Sequence, residues 1–136
     1  MWVDNYQKIG ELLFFGSFVG DSIAFVLLTA AILVMHFLMP KELLDKYFKP
    51  PYFSESECVL FSGIPLAPLR SIMFMRAIAY PRSGKKRGIK DAFLLVSSWY
   101  RLISKLIVIG IIAVAFVIIF QMIGFWLLFI FHKTPT

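Results

Sequence analysis

The sequence is poor in the residues from which active sites are usually assembled. It has one cysteine, Cys58, and two histidines, His36 and His132. A single cysteine excludes an internal disulfide and any multi-cysteine metal site. No His/Asp/Ser grouping, no paired carboxylates at a plausible site and no metal-ligand spacing occurs along the chain. The chain is therefore not expected to be an enzyme acting alone, and no cofactor or metal is expected. Acid is scarce as well: 8 Asp+Glu stand against 14 Lys+Arg, for a net charge of +6. Charge of either sign is nearly missing from two long stretches. Leu12 to Met39 is interrupted only by Asp21, by His36 and by the small residues Gly16, Ser17, Gly20, Ser22 and Thr29. Leu106 to Phe131 has Gln121 as its single strongly polar member.

A helix needs about 20 apolar residues to cross a hydrocarbon core of roughly 30 Å, and both stretches exceed that. With 136 residues and 60% hydrophobic content, little chain is left for a soluble domain with its own core. The expected fold is an all-α integral membrane protein: two antiparallel transmembrane helices joined by a cytoplasmic connector of short amphipathic and interfacial helices. As a single membrane domain, residues 1–136 divide into an extracytoplasmic N-terminus (1–11), a first span (12–39), a basic connector (40–105), a second span (106–131) and an extracytoplasmic tail (132–136). Asp4, Lys8 and Glu11 precede the first stretch, which lacks the basic start and the short apolar core of a signal peptide.

Orientation follows from the cations. Lys8 is the only one before the first span and Lys133 the only one after the second, so the connector holds the other 12 of the 14. Cytoplasmic loops carry the Lys/Arg excess, which places the connector in the cytoplasm and both termini outside. Trp2 and Tyr6 suit an outer-interface anchor. In outline the layout resembles small two-span bacterial membrane proteins such as universal stress protein B, with no motif shared and no residue role carried over. A bacterial inner (plasma) membrane is the expected location.

Within the connector, Pro40 to Lys49 reads as a short amphipathic helix with Pro40 at its first position and Pro50-Pro51 as its stop. Leu43, Leu44, Tyr47 and Phe48 share one face, and Glu42–Lys46 and Asp45–Lys49 are i,i+4 pairs on the other. Ser54-Glu55-Ser56-Glu57 has the S-x-x-E form of a capping box ahead of Cys58. Leu66 to Tyr80 is too short to span alone and carries Arg70 and Arg76, which predicts an interfacial or partly re-entrant helix with snorkelling arginines. From about Ile89 the helical spacing runs without a breaker into the second span, predicting one long helix to Phe131.

Four features are candidates for function. Arg82, Lys85, Lys86, Arg87 and Lys90 form a cationic cluster suited to an anionic lipid surface, where each cation contributes about 1 kcal/mol. Little aromatic interleaving accompanies it, so nucleic acid is not an expected partner. Ser83-Gly84-Lys85-Lys86 is no phosphate loop, since Ala79 stands where the first Gly belongs and no Ser/Thr follows the Lys. Gly16, Gly20 and Ala24 make a small-residue row that lets helix backbones approach, within this chain or in another copy. Asp21 and Gln121 are the intramembrane polar residues. Asp21 lies roughly 27 Å from Met39 along a helix axis and Gln121 roughly 22 Å into the second span. Asp21 is expected first as a hydrated residue near the far interface, then as a partner for Gln121, and least as part of a proton or ion relay. His36 and His132 fall at opposite ends of the membrane and cannot share one haem. The expected function is a non-enzymatic accessory or scaffold subunit that engages the anionic membrane surface, itself or a larger membrane complex. The alternatives are a homo-oligomeric pore built on the small-residue face and a non-catalytic subunit of a lipid-acting enzyme.

Overall fold

In the computed structural model, residues 2–132 are described, with side chains from Lys8 to Leu127. The anchors Trp2 and Tyr6, His132 and the tail around Lys133 lie outside the residues whose side chains are described. The described residues are helical without strands. The order is α1 (Trp2–Phe37), α2 (Lys41–Tyr47), α3 (Glu55–Ser62), α4 (Ala67–Ala79), α5 (Pro81–Gly84), two 3₁₀ turns at Lys85–Arg87 and Ala92–Leu95, and α6 (Ser98–His132). Two helices are long and apolar enough to cross a membrane, over Lys8–Phe37 and Ser98–Leu127. The chain packs as two compact units. The first joins the stretch up to Leu27 with that from Ile111 onward, and the second is Leu28–Gly110.

The first unit has almost no interior. From Lys8 to Leu27 only Asp21 and Ala24 are half-buried, and from Ile111 to Leu127 only Ile111, Val114, Gln121 and Gly124. The half-buried positions recur three and seven residues apart, the narrow seam of two helices in contact. The apolar side chains around them, from Leu12 and Phe15 to Phe116 and Phe120, are exposed. Apolar exposure on this scale fits a lipid solvent, in which a helix satisfies its own backbone hydrogen bonds.

The second unit has a true core. Met35 near the end of α1, Met39 just beyond it, Leu43 and Tyr47 of α2, Phe53, Phe74 and Met75 of α4, and Tyr100 of α6 are all buried. Local sequence explains its corners. Pro40, one position earlier than expected, caps α2 rather than opening it. Ser54 and Glu57 form the capping box of α3: the Ser54 hydroxyl accepts from the Glu57 N–H, and the Glu57 carboxylate accepts from the Ser54 N–H. Gly63 ends that helix, and α3 and α4 meet at a 116° bend. The i,i+4 pairs expected on α2 do not form among the described residues; Lys46 instead lies over the Tyr47 ring, 5.2 Å from its centroid.

One expectation is corrected outright. The helix entering the second span begins at Ser98 and not near Ile89. Gly88 takes a left-handed φ of 75°, which ends the 3₁₀ turn before it, and Val96 is extended. Ile89, Ala92, Val96 and Tyr100 have helical spacing and are all buried, but their burial is in the core of the second unit. Tertiary packing supplies there what a continuous helix would have supplied, so the spacing alone misleads.

Candidate functional site

The cationic turn is built by the end of α4. Pro81 stops that helix, and the Ser83 hydroxyl donates to the carbonyls of Tyr80 (2.8 Å) and Arg76 (3.2 Å), folding the next turn back on it. Gly84 is buried where a Cβ would lie 3.1 Å from Ile89 and 3.2 Å from the Ala77 Cβ, so a side chain there would push the turn a few tenths of an ångström off its seat. Gly88 then faces the Tyr52 ring. These contacts hold the backbone in place and leave Arg82, Lys85, Lys86, Arg87 and Lys90 all exposed.

The five are not equivalent. Arg87 donates through both Nη atoms to Glu57, at 2.9 and 3.1 Å, and stands 5.1 Å over the Phe53 ring. Hydrogen bonding from Arg87, reinforced by the Ser54 N–H, holds the Glu57 carboxyl down at about 2. Glu57 thus serves the α3 cap and anchors the turn to α3. Arg82, Lys85, Lys86 and Lys90 have no ion pair among the described residues. Four positive charges on one tight turn, with one arginine used to fix it, make a surface for anions.

The intramembrane polar residues come together in the first unit. The Gln121 amide donates to the Asp21 carboxylate and, at 3.0 Å, to the Ser17 hydroxyl, which itself donates to the Phe14 carbonyl at 2.8 Å. The helix-pairing reading of Asp21 thus has a geometry, with Ser17 as a third member not singled out in the sequence. One rise of four residues from Ser17 to Asp21 puts both oxygens on the face that meets Gln121. A groove of about 840 Å³ runs beside this node, lined mainly by apolar and aromatic groups including Phe18, Phe25 and Trp126. The small-residue row lies elsewhere. Among the described residues, nothing beyond the helix's own backbone stands within 4 Å of a Cβ built on Gly16 or Gly20, and of the three only Ala24 is half-buried.

Three polar contacts of the second unit have no local signal in the sequence, and one of them replaces the snorkelling expected of Arg70. His36 Nδ1 and the fully buried Ser71 Oγ are 2.6 Å apart. The Tyr100 hydroxyl donates to the Met35 carbonyl at 3.1 Å. Arg70 lays its guanidinium 4.6 Å over the Phe48 ring, its Nε is buried without an acceptor, and burial lowers its pKa. Their partners are 35, 65 and 22 residues away, beyond any local pattern. With Ser71 at 0% exposure a substrate has no access to its hydroxyl, so the pair acts as an internal hydrogen bond. No group of three or more His, Cys, Asp or Glu with metal-site geometry occurs among the described residues. No protein-family model, curated protein or solved structure matches the chain.

Proposed function

We propose that the protein is a two-span membrane accessory or scaffold protein whose connector lies as a platform on the cytoplasmic face of the membrane and engages anionic lipid or a larger membrane complex. The observation that carries this reading is the cationic turn: Arg82, Lys85, Lys86 and Lys90 are exposed and without ion pairs among the described residues, in a chain with two candidate spans. At about 1 kcal/mol per cation near an anionic leaflet, four such charges hold a platform to the surface without any further contact. Antiparallel packing of the spans is supported within each unit separately. In the first, Phe14 stacks on Phe125 while Asp21, further along, pairs with Gln121, earlier in α6. In the second, a Cβ on Gly110 would lie 3.1 Å from a Leu28 methyl, and the Tyr100 hydroxyl donates to the Met35 carbonyl.

Cys58, the only cysteine, provides the test of orientation. In sealed right-side-out vesicles a membrane-impermeant maleimide is expected to leave Cys58 unlabelled until the membrane is permeabilised. Labelling from outside in intact vesicles overturns the cytoplasmic connector. A second reading, a homo-oligomeric pore, is favoured by the open space over Gly16 and Gly20. Native mass spectrometry in mild detergent separates the two: a discrete homo-oligomer favours the pore, and co-purifying unrelated subunits favour the scaffold.

A further inference from the structure

Where α3 turns into α4 the second unit presents an apolar point. Val59 is 76% exposed, Leu60 54% and Ile64 95%, and Leu69 follows on the first turn of α4. Side chains this apolar are poorly placed in water and well placed in the acyl region of a bilayer. Arg70 stands next to Leu69, one turn into α4. An arginine at this position normally snorkels, with its stem in the apolar layer and its head among the phosphates. Arg70 is held instead. Its guanidinium is stacked on Phe48, its Nε is out of contact with solvent and has no acceptor, and no carboxylate pairs with it among the described residues. A guanidinium kept charged, partly desolvated and without a counter-anion is an incomplete ion pair, and its planar fork matches two oxygens of a phosphate.

We propose that Arg70 binds a phosphate group, supplied by the headgroup of a membrane phospholipid whose acyl chains lie along the Val59–Leu60–Ile64 point. The site is distinct from the cationic turn: it takes one phosphate by geometry, where the turn attracts anionic surface by charge alone. It rests on the reading of the connector as a membrane-surface platform and not on the four free cations.

The test uses the full-length protein, stripped of lipid in mild detergent and titrated in native mass spectrometry. The ligands are phosphatidylglycerol, a diacylglycerol with the same acyl chains, and inorganic phosphate. The expected result is a discrete one-lipid adduct with phosphatidylglycerol and none with diacylglycerol. Arg70→Met is expected to weaken that adduct about tenfold. Phe48→Leu, which removes the ring under the guanidinium together with its edge contact to Phe53, is expected to weaken it about threefold in protein shown to be folded and keeps the test decisive if Arg70→Met fails to fold. Competition by inorganic phosphate shows that the phosphate itself is recognised and that a free anion can also enter. Its failure to compete, with the adduct intact, assigns the site to the lipid. Equal binding of diacylglycerol, or undiminished binding by a folded Arg70→Met and by Phe48→Leu, overturns the proposal. A variant with Arg82, Lys85, Lys86 and Lys90 all changed to Gln is expected to retain the one-lipid adduct. If that variant loses it while Arg70→Met keeps it, the Arg70 site is refuted and the cationic turn is left standing.

Discussion

The two units of this chain bury their apolar side chains to very different extents. In the first, two helical stretches expose nearly every apolar side chain and meet along a thin seam with one polar node, Ser17–Asp21–Gln121. In the second, breakers and caps fold a stretch that carries 12 of the 14 Lys+Arg around Leu43, Phe53, Phe74 and Tyr100. Charge content separates them, and punctuation completes the difference: Pro40, Pro50-Pro51, Gly63, Pro81 and Gly88 cut the connector into pieces too short to span, and short amphipathic pieces must bury their faces against one another.

Mutations that remove equal volumes from the two units should therefore have unequal effects. Phe74→Ala, at a position with 0% exposure, is expected to cost about 3–5 kcal/mol. Phe116→Ala, 69% exposed in the first unit, should stay within about 0.5 kcal/mol in a detergent melt. Equal losses would break the contrast. A finer test lies among the buried hydroxyls. Ser71→Ala strands the His36 nitrogen it meets and is expected to cost about 1–3 kcal/mol, whereas Ser104→Ala removes a fully buried hydroxyl with no partner among the described residues and should be neutral or stabilising. In the first unit, Asp21→Ala and Gln121→Ala, singly and together, should show a coupling of about 0.6–1.7 kcal/mol, as interhelical hydrogen bonds in membranes do. Strictly additive losses would remove the polar node from the account of helix pairing.

The smallest expected effect concerns acid. The Glu57 carboxyl is held at about 2 in the fold, below the 4.5 of a free one. A depressed pKa gives stability that is fully present above about pH 4.5 and is lost as pH falls toward 2. The difference in melting temperature between the native chain and Glu57→Gln should accordingly be present at neutral pH and shrink through that window. A constant difference at every pH would mean that Glu57 contributes shape and not charge.

Much of this architecture is legible in the residues, and where it is not the reason is physical. Both long apolar stretches, the Ser54–Glu57 capping box and the Pro50-Pro51 stop are local patterns whose causes lie within a few residues. The break before Ser98 is hidden because Ile89, Ala92, Val96 and Tyr100 keep helical spacing while packing into a core made by other elements. The His36–Ser71 and Tyr100–Met35 bonds depend on chain closure over 35 and 65 residues, for which one sequence carries no signal. Of the candidate site, the cationic cluster could be read directly, but the division of labour within it could not. Only the fold brings Glu57 across from α3 to take Arg87 out of the cluster and leave four charges free.

Those four charges are the centre of the account, and hydrogen–deuterium exchange tests them most directly. The full chain is placed in nanodiscs of phosphatidylcholine with and without phosphatidylglycerol, and amide exchange is followed across residues 81–97. The expected result is slower exchange of the Arg82–Lys90 turn only when phosphatidylglycerol is present, with the difference abolished when Arg82, Lys85, Lys86 and Lys90 are changed to Gln. Identical exchange of that turn in the two bilayers contradicts a platform that engages anionic lipid.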